Sequence, residues 1–345
     1  MSSMVSRSNA SIPSSYPSDD RAIAVVAIGR NEGDRLKICL ASVLKADFVK
    51  VVVYVDSGSS DGSADYARSQ GCEVVDLDMS MPFTAARARN AGFARATACV
   101  PDLAYVQFVD GDCELLPYWL TDARIALDAN PVIGAVCGRL RERYPQKSIY
   151  NQMCDIEWNT PVGEAKACGG IALFRVAAFA SCTGFLVTLI AGEEPELCIR
   201  LRAAGWKIVR IDQDMALHDA AMVHFHQWWS RSTRAGYAFA EGAALHGGPP
   251  EYHWVRESRS ARMWGAVLPA AVIALTMVVS PWALALLLAY PAQMLRIYRR
   301  VKDSLPSAGW YATLLVVGKL PEAAGQLRFL LNRALGKRSA LIEYK

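Results

Sequence analysis

The run Leu103-Ala104-Tyr105-Val106-Gln107-Phe108-Val109 carries no charge and stops abruptly at Asp110-Gly111-Asp112. A stretch so short and apolar reads as a β-strand buried on both faces, the kind that a parallel sheet holds between two layers of helix. The C-terminal end of such a strand is where open α/β sheets bind ligands. Two carboxylates one residue apart there suit a hard divalent cation, because Mg2+ or Mn2+ takes oxygen ligands and is often completed by substrate phosphates. Asp-Gly is also a common turn pair. Taken alone, the triplet fits a surface turn as well as a site.

The same alternation runs through the whole first half. Strands are expected over 22–28, 49–55 and 72–77, with helices over 35–44, 64–70 and 84–97 between them. Asp56-Ser57-Gly58-Ser59-Ser60-Asp61-Gly62-Ser63 is a polar, glycine-rich turn placed to cap the second helix. This spacing predicts an α/β protein with a mostly parallel central sheet and helices on both faces. The first turn lacks Gly-x-Gly-x-x-Gly, which excludes a nicotinamide enzyme, and no Walker motif is present. Two acidic strand ends remain, Asp56 and Asp110. A carboxylate facing a nucleotide accepts hydrogen bonds from ribose hydroxyls or from the N–H of a base.

The 9 cysteines are scattered without a CxxC pair, which argues against a disulfide framework and against a thiolate zinc site. They are expected as reduced core residues of a cytosolic domain. Residues 1–20, rich in Ser, Pro and Asn, are expected as a disordered leader and not as a signal peptide. A net charge of +4 is modest. The basic residues cluster beside apolar segments and form no aromatic-interleaved tract, so a nucleic-acid partner is not expected.

Residues 264–295 hold no charge at all. That run exceeds the roughly 20 residues a helix needs to cross a bilayer. Trp264 and Tyr290 sit near its ends as interfacial anchors would, and Pro281 allows a kink. Residues 309–332, interrupted by Lys319, Glu322 and Arg328, read as a second membrane helix or as an amphipathic helix in the interface. Arg256, Arg259 and Arg262 precede the first run, while Arg296, Arg299, Arg300 and Lys302 follow it. A simple spanning hairpin puts one of these clusters outside, against the usual bias, whereas a kinked or re-entrant segment keeps both in the cytoplasm. The expected organisation is a leader (1–20), a catalytic domain (21–245, with halves 21–115 and 116–245) and a basic linker (246–263). A transmembrane or re-entrant segment (264–295), a basic loop (296–308), the second helix (309–332) and a tail (333–345) follow. This places the chain at the inner membrane with its catalytic domain facing the cytoplasm.

With these residues in view, the chain over 22–240 resembles the family 2 glycosyltransferases of the GT-A fold. Ala27-Ile28-Gly29-Arg30-Asn31-Glu32 is similar to the family's opening strand and Asn-Glu turn, with Gly29 where relatives often have Pro. The turn at Asp56, Ser57 and Gly58 resembles the family's nucleotide-binding turn, and the match implies that Asp56 contacts the base. Arg87-Ala88-Arg89-Asn90-Ala91-Gly92 looks like the helix start that brings a basic residue, Arg87, and an amide, Asn90, toward the diphosphate and ribose. Asp110-Gly111-Asp112 is similar to the DxD motif. By that likeness Asp112 is the more direct metal ligand, and Asp110 is a ribose contact or a further ligand.

In the second half, Gly169-Gly170-Ile171-Ala172-Leu173-Phe174-Arg175 resembles the strand that lines the donor-sugar pocket. Gly192-Glu193-Glu194-Pro195-Glu196 looks like the Glu-Asp motif at the start of the helix carrying the catalytic base, with Glu194 in place of the usual aspartate. Glu193 and Glu196 are the alternative bases. His218 resembles the histidine that supplies a third metal or diphosphate contact. Arg231 and Arg234, three apart on one helical face, are candidates for a diphosphate or phospholipid. The segment around them scrambles the Gln-x-x-Arg-Trp of processive synthases, which favours transfer of one sugar. The resemblance implies an inverting, metal-dependent transferase using Mn2+ or Mg2+ and a UDP, GDP or dTDP sugar. The membrane segment points to a polyprenyl-diphosphate-linked glycan as acceptor. A soluble or protein acceptor, or an inactive nucleotide-sugar-binding scaffold, are the rival readings.

Overall fold

The apolar runs become strands at nearly the expected places. The structure is a computed structural model that describes residues 22–46 and 48–337. The leader expected over 1–20, and the tail beyond 337, lie outside the described residues. β1 (Ile23–Gly29), α1 (Asp34–Val43), β2 (Val49–Asp56), α2 (Ser63–Ser69), β3 (Glu73–Asp76), α3 (Ala85–Cys99) and β4 (Tyr105–Asp110) alternate as the spacing predicts. β5 (Cys113–Leu115), α4 (Trp119–Ala129), β6 (Ile133–Glu142), α5 (Ile149–Glu157) and β7 (Gly163–Glu164) follow. β8 (Ala172–Arg175), α6 (Val176–Ser181), α7 (Glu193–Ala203) and β9 (Lys207–His218) complete the α/β part.

Among the described residues the strands form one mixed sheet in the order β3-β2-β1-β4-β8-β6-β9-β5, with β7 on β9. β1 to β4, β6 and β9 point one way, and β5, β7 and β8 run against them. The parallel register sets Gly29 beside Asp56 and Ile28 beside Asp110, so the acidic strand ends share one edge of the sheet. Gln107, the one polar residue in the β4 run, is buried and accepts a hydrogen bond from Trp119 Nε1 at 2.9 Å. Left unpaired, such a buried amide costs about 1–3 kcal/mol.

α3 lies across β1 and β2, and Gly92 permits the close approach. A Cβ there would stand 2.3 Å from Val26 Cγ1. Its ring neighbour Phe93 joins Phe108, Phe174, Phe179 and Phe185 in one aromatic cluster, with centroids 4.6 to 6.3 Å apart. This cluster joins α3, β4, β8 and α6 in the core.

The C-terminal part is helical: α8 (Phe225–His246), α9 (Val255–Arg262), α10 (Leu268–Val278), α11 (Ala289–Val301), α12 (Ala308–Val317) and α13 (Lys319–Ala334). α13 is held between α8 and α9. Gly236 and Gly325 let the α8 and α13 backbones touch: a Cβ on either would lie 2.0 Å from a carbonyl oxygen of the other helix. Buried Ser258 and Gln326 join α9 to α13 with two hydrogen bonds.

Residues 309–332 are therefore not one membrane helix. They form α12 and α13, divided at Gly318, with Leu314 packed beside Met153 and Trp228 and with Phe329 on Tyr237. The charge-free run 264–295 is not one straight span either. α9 continues through a π turn (Met263–Val267) into α10, then the chain reverses at Val279 and Ser280 into a 3-10 helix (Pro281–Leu288). Among the described residues one helix, Val255–Val278, is long and apolar enough to cross a membrane by length and composition.

Candidate active site

A cavity of about 540 Å3 opens at the C-terminal edge of the sheet. It gathers Gly29 at the end of β1 with Glu32 beyond it, Ser57 after β2, Asp110 at the end of β4 with Asp112 beyond it, and His218 at the end of β9. Ala85, Ala88 and Arg89 of α3, Gly170, and Glu193 and Glu194 at the start of α7 close it. The first turn explains the departure at Gly29: a Cβ there would sit 2.9 Å from Glu32 Cγ and 3.1 Å from the Tyr54 hydroxyl.

Asp112 is buried and faces His218, with Oδ2 3.1 Å from Nε2. Pairing of β5 with β9 places Cys113 opposite His218 and so fixes the two side chains together. The Asp219 N–H also donates to the Asp112 carbonyl at 3.2 Å. Asp112, Cys113 and His218 present ligand atoms within 4.8 Å of one another. The His218 ring lies against Trp158 at 4.8 Å between centroids, which limits its rotation.

Arg89 is the residue that sequence reasoning missed. It is 3% exposed, and its two terminal nitrogens reach Asp110 Oδ1 and Glu193 Oε1, each at 2.7 Å. Burial works against its charge, and the two carboxylates outweigh that cost, holding the guanidinium above its ordinary pKa. Gly170 makes the space: a Cβ there would stand 2.7 Å from Arg89 Nη2. The signal was present in Ala85, Ala88, Arg89 and Gly92, which share one helical face by their spacing. Arg87, the basic residue expected in the site, instead donates to the carbonyls of Asp78, Met81 and Pro82 and braces the loop before α3. Asn90 is likewise spent on the chain, bonding both the N–H and the carbonyl of Phe185.

The two glutamates at the α7 start differ in their partners. Glu193 is committed to Arg89. Glu194 is 6% exposed, and its Oε1 accepts from the Cys168 N–H at 2.6 Å and from Cys198 Sγ at 3.0 Å. Burial pushes the Cys198 thiol up to about 11, so it stays protonated as a donor. Cys168 Sγ lies 3.6 Å from Cys198 Sγ, and its thiol is also raised well above the ordinary value, first by its hydrogen bond to Cys198 and then by burial. Glu196 turns away from the cavity to Arg200 and His246.

The turn residues mostly shape the rim. Asp56 accepts from Gly58 and Ser59 N–H through Oδ2 and from the Tyr54 hydroxyl through Oδ1, so its carboxylate holds its own turn while Ser57 lines the cavity. Asn31 bridges the first two turns, donating its N–H to Ser59 Oγ and accepting from the Ser60 N–H. Arg231 pairs with Glu157 at 2.9 Å and lines a second cavity of about 380 Å3 between α5, α8 and α12. Arg234 lines both cavities, and so does Gly192.

Residues 24–181 match the family model "Glycosyl transferase family 2". No match was found among curated proteins. Among solved structures the chain is similar to the mannosyltransferase PcManGT from Pyrobaculum calidifontis, in complex with GDP-Man and Mn2+. The TM-score is 0.61 at 19% identity, over 90% of this chain and 87% of that one. It is also similar to residues 1–349 of TarS from S. aureus, with a TM-score of 0.50 at 15% identity over 92% of each chain. Residues 24–181 thus resemble the family 2 glycosyltransferases, and the chain shares the fold of the solved transferases.

Proposed function

We propose that the chain transfers a single sugar, with inversion, from a nucleoside-diphosphate sugar to a hydroxyl of a lipid-linked glycan precursor at the inner membrane. One observation carries this reading: Asp110, Asp112, His218, Glu193 and Glu194 all line one cavity at the sheet edge. Asp112 and His218 offer a carboxylate oxygen and an imidazole nitrogen in mutual reach, a donor set that suits Mn2+ and accepts Mg2+. They are the residues that would hold the cation, with Asp110 beside them, as the similar mannosyltransferase with Mn2+ also suggests. When bound, the cation neutralises charge on the departing diphosphate.

This chain's own groups do the rest. Glu194 takes the proton of the acceptor hydroxyl as that oxygen bonds to the anomeric carbon. The bond from that carbon to the diphosphate breaks, and its electron pair leaves with the nucleoside diphosphate. Glu193 is the poorer base, because its Oε1 is already spent on Arg89 at 2.7 Å. Arg89 orients Asp110 and Glu193 across the cavity. Ser57, Gly58, Asp56, Asn31 and Glu32 form the rim where base and ribose would lie, and Gly170 lines the cavity beside Arg89 where the sugar would sit. One base acting by direct displacement gives inversion.

The second cavity favours a lipid acceptor. It shares Gly192 and Arg234 with the first, and it sets Arg231 and Arg234, with Glu157 and Glu322 among them, beside Trp228, Phe239, Leu314 and Leu315. Cations beside an apolar wall suit a phosphorylated head with a hydrocarbon tail. The test is to incubate the full chain and Mn2+ with UDP, GDP and dTDP sugars, offering a polyprenyl-diphosphate sugar or a soluble glycan, and to read the product anomer by NMR. Transfer to the lipid acceptor with inverted configuration is expected. Transfer to the soluble glycan alone would overturn the lipid reading, and a retained anomer would overturn the role of Glu194.

A further inference from the structure

The charge-free run folds back on itself. Tyr290 Oη donates to the Trp264 carbonyl at 2.6 Å, and the two rings meet edge to face at 5.9 Å. The residues at either end of the run are therefore neighbours. Between them α10 runs out, the chain reverses at Val279 and Ser280, and the 3-10 helix Pro281–Leu288 runs back beside α10. From this geometry we infer that residues 264–290 form a monotopic anchor that enters one leaflet of a bilayer and leaves by the same face. This deepens the membrane reading above and does not depend on the transfer chemistry.

The dimensions fit half a membrane. The 11 residues of α10 rise about 16 Å at 1.5 Å each. The returning 8 residues rise about the same at 2 Å each. The hydrocarbon core of a bilayer is about 30 Å thick. The tip is its most exposed part, and apolar side chains lead it: Met277, Val278 and Trp282 are 81%, 83% and 87% exposed. A core helix does not explain it, because only 11% of the apolar window of Val255–Val278 is buried.

Four N–H groups of the tip find partners within it, as lipid demands of buried donors. Val279 and Ser280 N–H both donate to the Leu275 carbonyl, Ala283 N–H donates to the Ser280 carbonyl, and Trp282 N–H donates to Ser280 Oγ. At the base the charge changes sharply. Arg256, Arg259 and Arg262 on α9 and Arg296, Arg299 and Arg300 on α11 are all exposed, against Glu257 and Asp303 as the acids of the stretch 255–303. Basic side chains around the foot of an apolar hairpin complement an anionic lipid surface. Trp264 and Tyr290 occupy the level between, where aromatic residues sit at membrane interfaces.

The experiment uses the full chain with Cys99, the exposed cysteine among those described, changed to Ser. Single cysteines are placed at Arg259, Val279 and Lys302, and the protein is bound to sealed vesicles of phosphatidylglycerol and phosphatidylcholine. A membrane-impermeant maleimide added outside is expected to label positions 259 and 302, with position 279 protected until detergent is added. Brominated lipid is expected to quench a tryptophan signal that Trp282→Phe removes. Val278→Asp is expected to weaken vesicle binding about tenfold or more. Flanks labelled from opposite faces would show a spanning helix and overturn the proposal while leaving membrane attachment intact. Failure to float with vesicles, or a dimer in sedimentation that protects position 279 without lipid, would assign the hairpin to a second copy and overturn both.

Discussion

Asp112 Oδ2 and His218 Nε2 face each other at 3.1 Å, although 106 residues separate them in the chain. The contact is made by the sheet: β5 pairs antiparallel with β9, and Cys113 comes to rest opposite His218. An acidic turn thus gains an imidazole nitrogen as partner from the far half of the molecule. Arg89 serves the other side of the cavity in the same way, tying Asp110 to Glu193, which lies 104 residues beyond Arg89 at the start of α7.

Arg89→Ala leaves two carboxylates facing each other without their shared cation. Loss of one partner from a buried ion pair costs about 3–5 kcal/mol. A drop of that order in chemical denaturation is expected. Arg89→Lys should recover only part of it, because an ammonium does not present the fork that reaches both acids. Equal stability of Arg89→Lys and the parent would show that the bridge is not needed.

Cys198→Ala removes the thiol that donates to Glu194 Oε1. Without that donor the Glu194 carboxylate is held at Oε1 by the Cys168 N–H alone, and kcat is expected to fall about threefold or more, the worth of one lost hydrogen bond. Cys198→Ser, which keeps a donor, should stay near the parent. An unchanged kcat in Cys198→Ala would place the base elsewhere, with Glu193 next in line.

How much of this was legible in the sequence depends on whether a feature is local. β1, β2 and β4 were readable because each is a short apolar run ending at a polar turn, and their parallel order follows from the helices between them. The acidic strand ends and the α7 glutamates were readable as motifs. The partners of those acids were not. Arg87 and Arg89 differ by 200° around the helix axis, and only packing of Gly92 on Val26 decides which one faces the cavity. The cysteines around Glu194 looked like plain core residues, because Cys168 and Cys198 approach each other only when α7 docks. The hairpin was half legible: lack of charge marks the segment, while the reversal at Val279 and Ser280 needed the return of Tyr290 to Trp264.

Glu241 on α8 gives a pH signature in stability. Burial pushes its pKa up to about 7 from 4.5. Below pH 4.5 the group is neutral in both folded and unfolded chains and costs nothing. Between 4.5 and 7 the unfolded chain ionises first, and stability falls as pH rises until the penalty is complete above 7. Because the side chain keeps some solvent contact, the penalty is about 1–2 kcal/mol. Glu241→Gln is expected to raise Tm at pH 8 and to leave it nearly unchanged at pH 4.5. The same gain at both values would remove ionisation as the cause.

The α8–α13 crossing depends on bare backbone at Gly325. Val in its place meets the Thr233 carbonyl, and the helices must part. Overpacking of this kind costs about 1–3 kcal/mol. Loss of stability measured in urea is expected to be accompanied by greater hydrogen exchange in α12 and α13 than in the sheet. Uniform exchange throughout would show that the helices are not a separately breakable layer.

The central claim is that Asp112 supports a metal-dependent donor site while Glu194 supplies the base. Its most direct test is one titration of Mn2+ against donor binding and sugar transfer in the parent, Asp112→Asn and Glu194→Gln. Donor binding by the parent is expected to require Mn2+. Asp112→Asn should lose binding and transfer together, whereas Glu194→Gln should bind donor as the parent does and transfer at least a hundredfold more slowly, within the usual range for a general base. Donor binding and turnover by Asp112→Asn equal to those of the parent would contradict the claim.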